Sequence, residues 1–194
     1  MQVKEQPILD KRQAILNATL RLISQKGFVG TSTALIAKEA GVGMGTIYRY
    51  FDSKEQLLEE LFKERSQKLQ TVILESILSE SESIYDQFEN IIRGLFYYYS
   101  VNPLESQFLE KYSDSPFHNK ETLDETSLLL EPIAMILSGM EDSITLKELP
   151  VEILFALIYG PLIAIIHLVH QKKVELSEDI ISQTSKACWD AIAK

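Results

Sequence analysis

The sequence is poor in the residues that build redox, metal and hydrolytic sites. It holds one cysteine, Cys188, which excludes an intrachain disulfide. Its three histidines, His118, His167 and His170, show no zinc-ligand spacing, and the last two, three apart on one expected helix, have no clear carboxylate partner nearby. No His-Glu-x-x-His, Gly-x-Ser-x-Gly elbow or phosphate-loop lysine is present. The expectation is therefore no enzyme, no metal and no cofactor. Gly41-x-Gly43-x-Gly45 suggests a nucleotide loop, but Thr46 stands where a dinucleotide fingerprint needs glycine and no strand precedes it. No segment alternates with period two for long enough to make a sheet. The N-terminus lacks the apolar stretch of a signal peptide, so the chain reads as cytoplasmic.

Long apolar runs are equally scarce. The one that stands out covers residues 153 to 169, seventeen residues at the short edge of what crosses about 30 Å of hydrocarbon, and it contains Pro161 and His167. It reads as a helix needing cover on all sides from protein, not as a membrane span. Positive charge is short overall, at a net of −9 over 194 residues. It is nonetheless unevenly spread: residues 1 to 51 hold seven Lys and Arg against three Asp and Glu, a net of +4, and the other 143 residues carry −13. A basic head precedes an acidic body.

With 45% hydrophobic residues, the chain can bury a real core, and its apolar periodicity is helical throughout. Ile15, Ala18 and Leu22 share one face of a helix over 8 to 26 that stops at Gly27. Ser32 is a plausible N-cap for a short helix over Thr33 to Ala40, stopped by Gly41, and another runs from Met44 to about Tyr50. From Ser53 a long amphipathic helix links head to body, and further helices are expected at about 84 to 99, 103 to 112, 122 to 138, 150 to 170 and 177 to 192. Pro150 suits the first turn of its helix, and Gly160-Pro161 should kink it. The fold is expected to be all-α, with a three-helix head over residues 1–51 and a body over 52–194.

Residues 31 to 51 spell helix, glycine turn, helix, the pattern of a helix-turn-helix. Leu35, Ile36, Ala40, Val42 and Ile47 can form a small core, leaving the polar tips of Thr46, Tyr48, Arg49 and Tyr50 for the DNA major groove. Gly43 and Gly45 open the start of the second helix to close backbone approach, while tyrosine hydroxyls and Lys54 supply phosphate contacts.

Ile36-Ala37-x-x-Ala40-Gly41-Val42, then Gly45-Thr46-Ile47-Tyr48-x-Tyr50-Phe51, then Lys54-Glu55-x-Leu57, resembles the signature of the TetR/AcrR family of bacterial transcriptional regulators. The resemblance is dense over residues 9 to 62, and beyond them it rests on length and layout. It implies a homodimer that binds operator DNA, usually as a repressor, and releases it when a small molecule enters the body. It also implies that Thr33 contacts DNA from the start of the first motif helix, that Gly43, Met44, Thr46, Arg49 and Tyr50 form the recognition surface, and that Tyr48 and Lys54 hold phosphates. Two positions depart from the pattern: Gly43 where serine is common, and Met44 where a polar or basic residue is frequent.

In the body, Tyr99, Phe108, Tyr112, Phe155 and Tyr159 are the expected lining of a small-molecule pocket, apolar walls with a few hydrogen-bonding tips, suited to an apolar or amphiphilic effector. Residues 150–170 and 177–192 are the expected homodimer interface, a four-helix arrangement. The rival readings, a helical small-molecule-binding enzyme or an interaction protein with the helix-turn-helix as scaffold, leave the glycine turn and Gly-Thr-Ile-Tyr-Arg-Tyr-Phe without a purpose.

Overall fold

The computed structural model describes residues 8–79, 83–113, 115–117 and 146–194; the helix expected over 122–138, and His118, lie outside them. Among the described residues eight helices follow in order: α1 (Ile8–Lys26), α2 (Thr33–Ala40), α3 (Met44–Tyr50), α4 (Lys54–Ile77), α5 (Ile84–Val101), α6 (Pro103–Ser113), α7 (Val151–His170) and α8 (Glu178–Ile192). Among the described residues the one extended pairing is an isolated antiparallel bridge between Leu146 and Ala193.

The starts are set by serine hydroxyls that accept otherwise unpaired first-turn N–H groups: Ser32 from Leu35 at 3.2 Å, Ser53 from Gln56 at 3.1 Å, Ser83 from Asp86 at 3.1 Å and Ser177 from Ile180 at 3.3 Å. Pro150 sits one place earlier than the first-turn position expected of it, as the N-cap of α7, because its ψ of 143° is extended while its carbonyl already accepts from Leu154. The helix then continues through Gly160-Pro161, although Pro161 has no N–H to offer the Leu157 carbonyl.

The chain forms two compact units, and they do not divide at residue 51. The first runs to Arg65, well inside α4, and takes in the segment from Leu104, which is α6. Two sets of contacts account for this. Phe28, just after α1, meets the rings of Phe108 at 6.2 Å and Tyr112 at 6.2 Å, and Tyr112 stacks on Phe62 of α4 at 4.6 Å. Beside them, Arg65 of α4 is 2% exposed and must find its counter-charges inside. Its guanidinium donates to Glu105 of α6 at 2.6 Å and to the Asn17 side chain of α1 at 2.9 Å, with Glu64 at 3.4 Å. Arg12 adds ion pairs to Glu60 at 2.8 Å and Glu64 at 3.4 Å.

The second unit holds the remainder of α4 with α5, α7 and α8. Phe88, Ile91, Ile92, Leu95 and Phe96 of α5, Ile158, Leu162 and Ile166 of α7, and Ile181, Trp189 and Ile192 of α8 are buried, each apolar side chain contributing about 1.5–3 kcal/mol. Gly94 marks the close approach of α5 to α4: a Cβ there would lie 2.5 Å from the Ser76 hydroxyl. Arg93 pairs with Glu89 and Glu178, and the Tyr97 hydroxyl donates to Glu178, tying α5 to the start of α8. At the other end of α8, Lys147 donates to the carbonyls of Asp190 at 2.8 Å and Ala191 at 2.9 Å, groups that a helix terminus leaves unpaired. Cys188 lies within this unit, its thiol donating to the Ile158 carbonyl, and burial pushes the thiol above its ordinary range.

Removing one partner of a buried ion pair strands the other. Glu105→Ala is expected to destabilise the chain by about 3 kcal/mol in urea unfolding, far more than Glu60→Ala in the exposed pair with Arg12; equal, small losses for both would show that Arg65 is not held by Glu105. Cys188, buried and kept protonated, is expected to react with a thiol reagent at pH 8 only as the protein opens, so its rate should rise steeply with urea.

Candidate nucleic-acid interface

The turn that aims α2 and α3 is fixed from both sides. Gly27 ends α1 with φ of +70°, its N–H on the Ile23 carbonyl at 2.8 Å, and the buried Thr31 hydroxyl donates back to the Gly27 carbonyl at 2.8 Å. Lys54 reaches from the start of α4 to donate to the Phe28 carbonyl at 2.6 Å. The α2–α3 turn depends on Gly41, whose φ of +66° is the left-handed conformation that closes a helix with little penalty only for glycine; Val42 then donates to the Ala37 carbonyl at 3.0 Å. Ile36 and Ile47 are buried and clamp the two short helices, whereas Leu35, Ala40 and Val42 are half-buried at the margin of that core.

With Ile47 turned inward, the rest of α3 is presented outward. Gly43, Met44, Gly45, Tyr48 and Arg49 are exposed, Tyr48 at 52%; Thr46 and Tyr50 are half-buried, as is Thr33 at the start of α2. Gly43 is the N-cap of α3 without a side-chain bond, so the first turn remains open. Lys54 is half-buried, spends one of its three N–H donors on Phe28 and lies 5.6 Å from the centre of the Phe117 ring. All nine residues expected at the DNA surface thus belong to one unit and flank the same two short helices. The Arg12 ion pairs and the Arg21–Glu39 pair at 3.2 Å place other cations of the unit in contact with carboxylates, while Arg49 stands exposed on α3.

The second unit contains a small apolar cavity of about 20 Å³ lined by Leu69 and Ile73 of α4, Leu95 and Tyr99 of α5, and Phe155, Ile158, Tyr159 and Leu162 of α7. Of the five residues expected to line a pocket, Tyr99, Phe155 and Tyr159 meet here. Phe108 and Tyr112 do not: both are fully buried in the first unit, among Phe28 and Phe62, and the Tyr112 hydroxyl donates to the Phe117 carbonyl at 3.1 Å. Their aromatic character serves the packing that holds α6. The aliphatic half of the lining was missed because helical spacing marks a residue as core without telling which core residues surround a void. Among the described residues no group of three His, Cys, Asp or Glu is placed to hold a metal ion.

α7 is long and apolar enough to cross a membrane by length and composition, with a mean hydropathy of 2.1 over eighteen residues, of which 28% are buried. The covered side faces the cavity and α8; Ile153, Ala156, Gly160, Ala164 and Leu168, three or four apart, form an exposed stripe.

The family models divide the chain at residues 60–61 and leave α6 with the C-terminal part. The model for bacterial regulatory proteins of the tetR family matches residues 15–61, and that for the tetracyclin repressor-like C-terminal domain matches residues 60–194. The chain is 33% identical over 107 residues to an HTH-type transcriptional regulator of Haemophilus influenzae, covering 55% of this chain and 57% of that protein. It is 36% identical over 92 residues to the HTH-type transcriptional regulator YhgD of Bacillus subtilis, covering 45% and 44%. The chain thus spans about half the length of the curated relatives it matches. Among solved structures, a TetR family transcription regulator from Marinobacter aquaeolei superposes with a TM-score of 0.86 at 26% identity, over 95% of this chain and 96% of that one. A tetR family transcription regulator from Shewanella superposes with a TM-score of 0.84 at 33% identity, over 95% and 98%. With the two models together accounting for residues 15–194, the chain belongs to the TetR family of bacterial transcriptional regulators.

Proposed function

We propose that the chain is a DNA-binding transcriptional repressor that acts as a homodimer on a palindromic operator and is released by a small hydrophobic or amphiphilic effector. The observation that carries the reading is α3: a helix anchored by one buried side chain, Ile47, with Gly43, Met44, Gly45, Tyr48 and Arg49 outward and Arg49 its exposed cation. Such a helix fits the major groove, where Arg49 and Thr46 can meet base edges. Tyr48, Tyr50, Thr33 and Lys54 would take phosphates, and the basic head would be drawn to DNA while the acidic body is repelled.

The exposed stripe on α7 supports a second copy as partner, because Ala156, Gly160 and Ala164 allow close approach of another helix and a partner would cover Ile153 and Leu168. Residues 150–170 and 177–192 are accordingly the proposed dimer interface, and a cytoplasmic protein, with α7 covered by protein, the proposed setting. The cavity lined by Tyr99, Phe155 and Tyr159 is the proposed effector site. α4 begins at Lys54 and carries Leu69 and Ile73 of that lining, so a ligand that binds one conformation better than another can bias the head through it, to the extent of that difference in affinity.

The test is fluorescence anisotropy with labelled DNA from beside the gene and scrambled DNA, over a salt series. The native chain is expected to prefer the former by at least about a thousandfold, with affinity falling steeply as salt rises. Tyr48→Ala should lose a contact worth about 1 kcal/mol or more, roughly fivefold in affinity, without loss of helical circular dichroism. Equal, weak binding to both DNAs and to sites selected from a random library would overturn the reading.

A further inference from the structure

We propose that Phe117 is a positioning residue for DNA binding: its ring and the Phe28 carbonyl hold the Lys54 ammonium in place for a backbone phosphate of the duplex. The inference rests on reading the first unit as the DNA-binding one and adds to it a residue that lies far along the chain from the helix-turn-helix.

Local structure carries Phe117 to its place. At the end of α6 the chain turns, the Ser115 N–H and hydroxyl both donating to the Tyr112 carbonyl, at 3.0 Å and 2.7 Å. The Tyr112 hydroxyl donates to the Phe117 carbonyl at 3.1 Å. Both ends of the turn therefore depend on one fully buried tyrosine, whose ring stacks on Phe62. Phe117 is half-buried, and its ring packs against that of Phe28, centroids 5.6 Å apart at 45°.

Lys54, the first residue of α4, meets both members of that pair. Its Nζ donates to the Phe28 carbonyl at 2.6 Å and lies over the Phe117 ring, 5.6 Å from the centroid. That is within the roughly 6 Å over which the negative face of a ring attracts a cation. These contacts differ in kind from those of Arg12 and Arg21, which meet carboxylates. A carboxylate cancels the charge it binds, whereas a carbonyl and a ring orient the ammonium and leave its charge in force. One of the three N–H donors goes to Phe28, so donors remain for a phosphate oxygen. A lysine side chain that moves freely must lose its rotamer freedom when it binds; one already held at folding loses less, and the contact gains by the difference. Phe28, Lys54, Tyr112 and Phe117 all belong to the first unit, so the arrangement is internal to it.

The experiment is fluorescence anisotropy of the full-length chain over a salt series, on a labelled duplex from beside the gene and on a scrambled one. Lys54→Met is expected to reduce the slope of log affinity against log salt by about 0.9 for each protomer bound, one phosphate contact. Phe117→Leu should weaken binding by about threefold in the native background and change nothing in the Lys54→Met background, while Phe117→Tyr, which keeps the ring face, should bind as the native chain does. A residue that served only the folding of the unit would weaken binding equally in both backgrounds. Phe117→Met replaces Phe117→Leu if the latter loses helical circular dichroism. Equal loss in both backgrounds, no loss in either, or a salt slope untouched by Lys54→Met would overturn the proposal and leave a chain that selects its DNA a regulator. The expected cycle on both duplexes, in a chain that selects no sequence even from a random library, would sustain the positioning role and overturn the regulator reading instead.

Discussion

A guanidinium 2% exposed imposes conditions on everything around it, and Arg65 is the residue around which the first unit is organised. A guanidinium taken out of water is tolerable only with carboxylate and carbonyl oxygens in place. Glu105 comes from α6 and Asn17 from α1, which means that two helices separated by some ninety residues are required by one side chain on a third. In the same unit the Phe28, Phe62, Phe108 and Tyr112 rings pack on one another. The consequence is a head larger than its motif: three short helices alone would expose the inner face of α1 and α4, and α6 covers it.

On that platform the reading surface can be thin. α3 is seven residues long, too short to persist alone, and is held by Ile47, by the left-handed Gly41 before it and by Phe51, buried after it. Gly43 caps α3 without a side-chain hydroxyl, and the polar side chains at the middle of the helix are those of Thr46, Tyr48 and Arg49. The same economy governs the body, where α7 supplies Phe155, Ile158, Tyr159 and Leu162 to the cavity and a separate stripe of small residues to the outside.

Much of this was legible in the sequence because it is local. The bounds of α1, α2 and α3 follow from Gly27, Ser32, Gly41 and Gly43, residues that act on their own neighbours, and the outward set on α3 follows from the single inward position of Ile47. What was not legible depends on partners distant along the chain. A glutamate such as Glu105 reads as solvated until an arginine forty residues away is seen to need it. Phe108 and Tyr112 have the same helical spacing as Tyr99, and nothing in that spacing says that they pack on Phe28 rather than around the cavity. Pro150 differed by one position because its extended ψ of 143° leaves it outside the helix, contributing only its carbonyl to the first turn.

The central claim, that α3 reads DNA from a two-fold dimer, is tested most directly by selecting binding sites for the full-length chain from a random DNA library and sequencing the survivors. The account predicts an inverted repeat whose half-sites are centred about 34–36 Å apart, one helical turn, or a multiple of it. A single unrepeated motif would contradict the dimer, and a library that shows no enrichment over input would contradict the claim that this surface reads DNA at all.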